Sequence, residues 1–301
     1  MRQTGAAVVF AMLIAALAST VAAGLLWREQ LWLRQFELTA NRSQARTMAG
    51  AGLRWAMLLL QDDGRNSSTD HLGEPWALRL PPTPLENGEV SGYIADQQAL
   101  FNLNDLVRDG RASSEGQMRF QRLLEALKLP VELADSLTDW LDADNIALPH
   151  GAEDAHYRGE EPPRLAANAP LRRIEELLAV RGYGQEIWQV LRPVVTALPQ
   201  SGLPVNVNTA AGAVLAAATV GLGLDRAQAL ARADRRHLTV AAFRETLPAG
   251  VIPPTESAMS VHSQYFEITV DARQGDSRAK ARALVFRPLS GSPQVVWQVY
   301  E

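Results

Sequence analysis

The sequence predicts an α+β protein in which a long N-terminal helix, its first part able to span a membrane, packs with an antiparallel sheet interrupted by a large all-α insert. Three observations carry this reading. Ala6 to Trp27 is a run of 22 residues without a charged side chain, and Ser19 and Thr20 are its only polar members. About 20 such residues form a helix long enough to cross the hydrocarbon core of a bilayer. Near the C-terminus, two alternating runs, Tyr265 to Arg273 and Arg278 to Phe286, flank Gln274-Gly275-Asp276-Ser277, the pattern of a β-hairpin. Between Asp105 and Ala249, strand signals nearly vanish and helical periodicity dominates.

Taken in order, the helix does not stop at Trp27. Leu31, Trp32, Phe36, Ala40, Ala45, Met48, Leu53, Trp55 and Leu59 recur mostly three to five residues apart, and no proline occurs before Pro75. This predicts one helix of about 55 residues, half inside the membrane and half outside. A cleavable secretory signal ending near Thr20-Val21-Ala22 is the alternative. Arg2 and Arg28 are weak charge flanks, so orientation rests on Arg2 and on the bulk of the chain beyond the helix. Asp62 to Asp70 is polar, and Pro75 to Pro84 holds four prolines, which reads as a surface connection. Short strands are expected at Val90 to Ala95 and Ala99 to Leu103, and a last strand at Gln294 to Tyr300. The expected units are 6–28 (membrane helix), 29–104 (helix and first strands), 105–250 (helical insert) and 251–301 (hairpin and last strand).

The balance of 29 basic and 33 acidic residues, a net charge of −4, argues against a general nucleic-acid coat. The absence of cysteine excludes thiol nucleophiles, zinc-thiolate sites and disulfides. No Gly-x-Ser-x-Gly elbow or phosphate-binding loop occurs, and the five histidines are scattered, so a non-enzyme is expected. Within the insert, Gly182-Tyr183-Gly184 and Gly221-Leu222-Gly223 lie 39 residues apart. Each is expected to sit between two helices, the later ones being Gln185 to Leu198 and Asp225 to Arg236. That pattern looks like a helix-hairpin-helix, whose backbone amides can grip a phosphate. Asn206-Val207-Asn208-Thr209 and Arg226, Arg232, Arg235, Arg236 and Arg244 add to it, giving a rival reading as a membrane-anchored periplasmic DNA-binding protein. The competing reading is a tight turn and a solvated helix face, diluted by Asp225 and Asp234.

The sharpest chemical feature is Asp135 to Glu161, with eight carboxylates against the single Arg158. Asp135, Asp139 and Asp142 share a helix face, and such neighbours repel unless a cation joins them. Calcium takes six to eight oxygen ligands and tolerates irregular loops. The spacing is not that of an EF-hand. A solvated acidic loop, paired carboxylates of a glycosidase, and a zinc site on His150 and His156 are the other readings.

Arg2-Gln3-Thr4-Gly5 followed at once by the apolar run resembles the class III leader of type IV pilins and type II secretion pseudopilins. The resemblance implies a leader at 1–5, cleavage by a prepilin peptidase after Gly5, and methylation of Ala6. It also implies that the segments flanking the insert, 29–104 and 251–301, form a pilin-like unit. The fifth mature position, usually glutamate, holds Phe10, a departure that characterises the minor pseudopilins called protein K and suits the start of a fibre. Asp139-Trp140-Leu141-Asp142-Ala143-Asp144-Asn145, Gly151-Ala152-Glu153-Asp154-Ala155-His156-Tyr157, Asn168-Ala169-Pro170-Leu171 and Phe101-Asn102-Leu103-Asn104-Asp105-Leu106 resemble that family as well. The resemblance implies structural Ca2+ held by Asp142, Asp144, Glu153 and Asp154, with Asp139 and Asn145 beside them. It further implies a single-pass anchor in the inner membrane with the bulk of the chain in the periplasm. The expected partners are the minor pseudopilins proteins I and J, the pseudopilus and the inner-membrane assembly platform; nucleic acid is not an expected partner.

Overall fold

A computed structural model describes residues 4–86 and 88–301; Met1, Arg2, Gln3 and Asn87 lie outside it, as do the side chains of Thr4, Gly5 and Ala6. The leader and its processing residues therefore carry no side-chain description. Helix α1 runs from Thr4 to Asn66, 63 residues. It has two regimes. From Ala7 to Ala40 every side chain is exposed, and this is the one helix, among the described residues, long and apolar enough to cross a membrane. Beyond Asn41, Ala45, Ala49, Leu53, Ala56 and Leu60 are buried at intervals of three or four, forming one stripe of an amphipathic helix.

That stripe lies on a five-stranded antiparallel sheet of order β1-β2-β9-β10-β11. Strands β1 (Leu80–Leu85) and β2 (Gly88–Asp96) precede the insert, and β9 (Tyr265–Gln274), β10 (Ser277–Phe286) and β11 (Gln294–Tyr300) follow it. The expected hairpin is present in register, with Gln274 opposite Ser277 and Gly275 in a left-handed conformation at φ 54°. Period-two alternation turns Ala279, Ala281 and Ala283 toward α1, while Arg278, Lys280 and Arg282 alternate with them. Small residues on both surfaces bring helix and sheet close. A Cβ added at Gly52 would stand 2.8 Å from Val270 Cγ1.

Between β2 and β9 the chain builds the insert. Its minor strands form three pairs: β3 (Phe101–Asn102) with β6 (Val195–Thr196), β4 (Val107–Arg108) with β5 (Arg111–Ala112), and β7 (Val205–Asn206) with β8 (Met259–Ser260). Its helices are α2 (Ser114–Ala126), α3 (Leu133–Leu141), α4 (Asp154–Tyr157), α5 (Gln185–Leu191), α6 (Gly212–Ala218), α7 (Leu224–Arg232) and α8 (Val240–Glu245). They enclose a core separate from that under α1, in which Phe120 stacks on Phe101 and Trp140 meets Tyr157 edge-on, with centroids 5.3 and 5.0 Å apart.

Several elements differ from the expectation. Pro81, Pro82 and Pro84 lie in a strand, β1, which is tolerated because β1 is an edge. Ala99 to Leu103 supplies only the two residues of β3 before a 3-10 turn at Leu103–Leu106. Helix α5 stops at Leu191 because Pro193 cannot continue it. The paired hairpins are not equivalent: Gly182 and Gly221 both have positive φ, yet a 3-10 helix, Ile174–Ala179, precedes the first and α6 the second.

The insert meets the sheet at a buried polar seam. Arg287, just past β10, donates to Asp63 Oδ2 at 2.6 Å, to Asp70 Oδ1 at 2.7 Å and to Ser263 O at 2.8 Å. Asn206 Nδ2 donates to Asp70 O (3.1 Å), Asp96 Oδ2 (3.1 Å) and Ser263 Oγ (3.0 Å), and Thr209 donates to the same Asp96 oxygen at 2.5 Å. Burial pushes the Asp96 carboxyl up to about 6 in spite of the hydroxyls of Thr209 and Ser263. Asp70 is 1% exposed and Arg287 7%. Arg287→Ala leaves that carboxylate buried without its cation, and the expected loss is about 3–5 kcal/mol in urea unfolding of the detergent-solubilised chain. A loss below about 1 kcal/mol would contradict the assigned role.

Candidate metal centre

Helix α3 ends at Leu141, and Asp142 leaves it in an extended conformation. The chain then loops to α4, with Glu153 at its N-cap. These two ends and Asp144 converge: each of Asp142, Asp144 and Glu153 offers a carboxylate oxygen within 4.8 Å of the others. Asp142 and Glu153 are 4% and 5% exposed. Asp142 Oδ1 and both carboxylate oxygens of Glu153 are buried without a hydrogen-bond partner. Burial first, then the neighbouring carboxylates, raises Asp142 to about 6 and Glu153 to about 7. Buried acceptors without donors are costly, and here they point at one another. An all-oxygen set on an irregular loop is the chemistry that a hard divalent cation satisfies.

The other three expected ligands are used differently. Asp139 accepts the Leu148 amide at 3.2 and 3.1 Å, and a side chain on Gly151 would occupy the place of its carboxylate. Burial, opposed by those backbone bonds, raises it to about 6. Asn145 Oδ1 accepts the Asp154 amide at 3.3 Å. Asp154 pairs with Arg158 at 2.9 Å and accepts the Ala166 amide at 3.1 Å, which ties the loop closed. Asn168 closes it from the other side: its backbone is left-handed at φ 44°, its Nδ2 donates to Asp144 O at 3.2 Å, and its amide to Trp140 O at 3.0 Å. His156 lies 3.5 Å from Glu160, and no histidine joins a metal grouping among the described residues. Phe10 is an exposed residue of the apolar part of α1.

Of the five arginines of the expected hairpin, Arg226 and Arg232 are exposed on α7, while the other three are engaged by groups of the fold. Arg235 is buried and donates to Val207 O at 2.6 Å and Ala210 O at 2.7 Å. Arg236 pairs with Asp234 at 2.9 Å, and Arg244 lies 3.4 Å from Glu256. Asn206 and Thr209, whose run adds to the helix-hairpin-helix likeness in the sequence, belong to the seam instead. That seam escaped the sequence because its members are spread over more than two hundred positions. Its one local signal, the Asn206 to Thr209 run, suggested another role. A second acidic grouping, Asp63, Asp70 and Glu74, belongs to the same seam, where Asp63 and Asp70 pair with Arg287.

A stem helix laid on an antiparallel sheet, with a helical domain spliced between two neighbouring strands, is the architecture of a pseudopilin enlarged by an insert. The family described as "Type II secretion system (T2SS), protein K" matches residues 99–200, the first part of that insert. The type II secretion system protein K of Aeromonas hydrophila is 32% identical over 309 residues, covering 95% of this chain and 93% of its own. That of Pseudomonas aeruginosa is 38% identical over 227 residues, 71% of this chain and 68% of its own. The solved GspK-GspI-GspJ complex from the enterotoxigenic Escherichia coli type 2 secretion system contains a chain similar in structure, with a TM-score of 0.78 and 26% identity, covering 89% of this chain and 99% of that one. The chain belongs to the type II secretion system protein K family, whose members are minor pseudopilins. The DNA-binding reading is not supported.

The raised carboxylates set a pH dependence. In a chelated sample the folded protein holds protons at Asp142 and Glu153 that the unfolded chain, with values near 3.8 and 4.5, has lost. Their stabilising contribution is complete below the unfolded values and is lost as pH rises through about 6 to 7. The melting temperature in chelator is expected to be higher at pH 5 than at pH 7.5, with a smaller difference in Glu153→Gln. An equal difference in that variant would contradict the assignment.

Proposed function

We propose that the chain caps the tip of the periplasmic pseudopilus and helps to initiate its assembly for the export of folded proteins. Its partners in this reading are the minor pseudopilins proteins I and J. The single observation that carries it is the extent of the likeness to the chain in the GspK-GspI-GspJ complex, which covers 89% of this chain and 99% of that one. The physical argument agrees: the exposed apolar stem suits packing among other helices, while a bulky insert obstructs addition of a further subunit above it. The role is structural, not catalytic.

In the same proposal, α1 anchors the chain as a single pass in the bacterial inner membrane, with the sheet and insert in the periplasm. A prepilin peptidase cleaves after Gly5, Ala6 is methylated, and the assembly platform receives the processed stem. Phe10, standing where a membrane-buried carboxylate would need a partner charge, places the subunit where no such pairing is made. Structural calcium is held by Asp142, Asp144 and Glu153, with Asp139, Asn145 and Asp154 fixing the loop around them. A bound cation supplies the partner that Asp142 Oδ1 and both oxygens of Glu153 lack.

Three outcomes test the proposal. Mass spectrometry of the purified protein should find a methylated chain beginning at Ala6; a chain starting at Met1 or after Ala22 would overturn the processing assignment. Millimolar calcium should raise the melting temperature, by about 2.7 kcal/mol of added stability at a hundred times the dissociation constant, and Asp144→Ala should remove most of the gain. Co-expression should yield a complex with proteins I and J; its absence would count against the tip role.

A further inference from the structure

The two edges of the sheet are built in opposite ways. The β1 edge carries Pro81, Pro82 and Pro84 and pairs with β2 through a register shift between Leu80 and Thr83. Prolines and irregularities of this kind prevent further strands from adding. The β11 edge, Gln294-Val295-Val296-Trp297-Gln298-Val299-Tyr300, has no charge, no proline and no glycine, and its valines are favoured in strands. Val295 and Val296 are 42% exposed and Tyr300 39%.

Its hydrogen-bonding phase is fixed. Glu301 and Lys280 exchange both backbone bonds, at 2.8 and 3.0 Å. In an antiparallel pair the bonded positions alternate, so Val299 opposite Arg282 and Trp297 opposite Leu284 face β10, while the amides and carbonyls of Gln298 and Tyr300 face outward. No strand lies beyond β11 among the described residues. The ligand that matches such a row is another extended strand.

We infer that β11 is a strand-addition site and that a strand of the protein I–protein J pair extends the sheet there, through the outward backbone groups of Gln298 and Tyr300. The inference rests on the reading that these proteins are the partners. The occupant follows from the placement of the edge. β11 borders the stem helix, with Arg46 of α1 lying 5.1 Å over the Tyr300 ring, so a subunit packed beside the stem meets this edge. A second copy of the chain is the poorer fit. Two β11 strands joined antiparallel are related by a two-fold axis through the sheet, which would point the two stems in opposite directions. One membrane cannot receive both.

Gln298→Pro removes one outward donor and leaves the β10 ladder intact, and Gln298→Lys places a charge on the edge without touching the backbone. The measurement is the affinity of the full-length processed chain, in detergent, for the purified protein I–protein J pair, with melting temperature as the check on folding. Both variants should bind about five- to tenfold more weakly at unchanged melting temperature. Affinity within twofold of wild type in both overturns the strand-addition site but not the partner reading. Failure of the unaltered chain to bind the pair overturns both. A self-association in sedimentation that Gln298→Pro abolishes assigns the edge to a second copy and overturns the stated occupant.

Discussion

One guanidinium sets how the two halves of this protein are joined. Arg287 stands where β10 ends, and it meets carboxylates from the end of α1 (Asp63) and from the connection that follows (Asp70). It also donates to the carbonyl of Ser263, at the point where the insert returns to the sheet. Asp70 and Ser263 in turn hold Asn206, deep in the insert, and Asn206 shares Asp96 with Thr209. Helix, sheet and insert are therefore fixed by one continuous hydrogen-bond network. The carboxylates outnumber the cation, so loss of Arg287 would leave buried charge without compensation, and the network holds only as a unit.

This constraint explains why α1 changes character along its length. Up to Trp27 it needs only to be apolar and helical, and from Arg28 to Ala40 it carries charges but is still fully exposed; its exposed side chains include the large residues Phe10, Trp27, Trp32 and Phe36. From Ala45 it must lie against a sheet, and the buried stripe becomes small: Ala45, Ala49, then Leu53, Ala56 and Leu60. Gly64, two residues before the helix ends, leaves room for the Arg287 side chain, since a Cβ there would stand 3.2 Å from its Cδ. The geometry of the seam thus reaches back into the choice of residues on the helix.

The sequence displayed what is local and concealed what is distant. The apolar run to Trp27, the hairpin about Gly275 and the crowded carboxylates after Asp135 each lie within one stretch, and their periodicity or charge density is visible without a fold. The proline-bearing β1 was hidden because its pairing depends on β2 rather than on its own composition. Of the acidic cluster, the sequence supplied six residues but not their division. Which carboxylates face one another and which cap the loop depends on Gly151 leaving room for the Asp139 carboxylate and on Asn168 turning the backbone back, a long-range consequence of the fold. The arginines of α7 and beyond misled for a related reason. Composition counts Arg235 as surface charge, whereas the fold spends it on two backbone carbonyls.

The position of the insert matters as much as its content. β2 and β9 are neighbours, and Asp96 lies directly opposite Phe266, so the insert begins and ends on adjacent backbone positions. Closing a long chain segment between two such points adds little entropic cost beyond that of the sheet itself, because loop closure grows only logarithmically with length. The sheet tolerates the splice, but one pair of neighbouring strands is a poor lever for orienting a large domain. Orientation has to come from contacts made just outside the splice, and that is where Asp70, Asn206, Ser263 and Arg287 lie. A subunit whose insert must stand in a fixed place above its stem needs this seam as much as it needs either core. With no cysteine to staple the two halves, buried charge is what remains to do it.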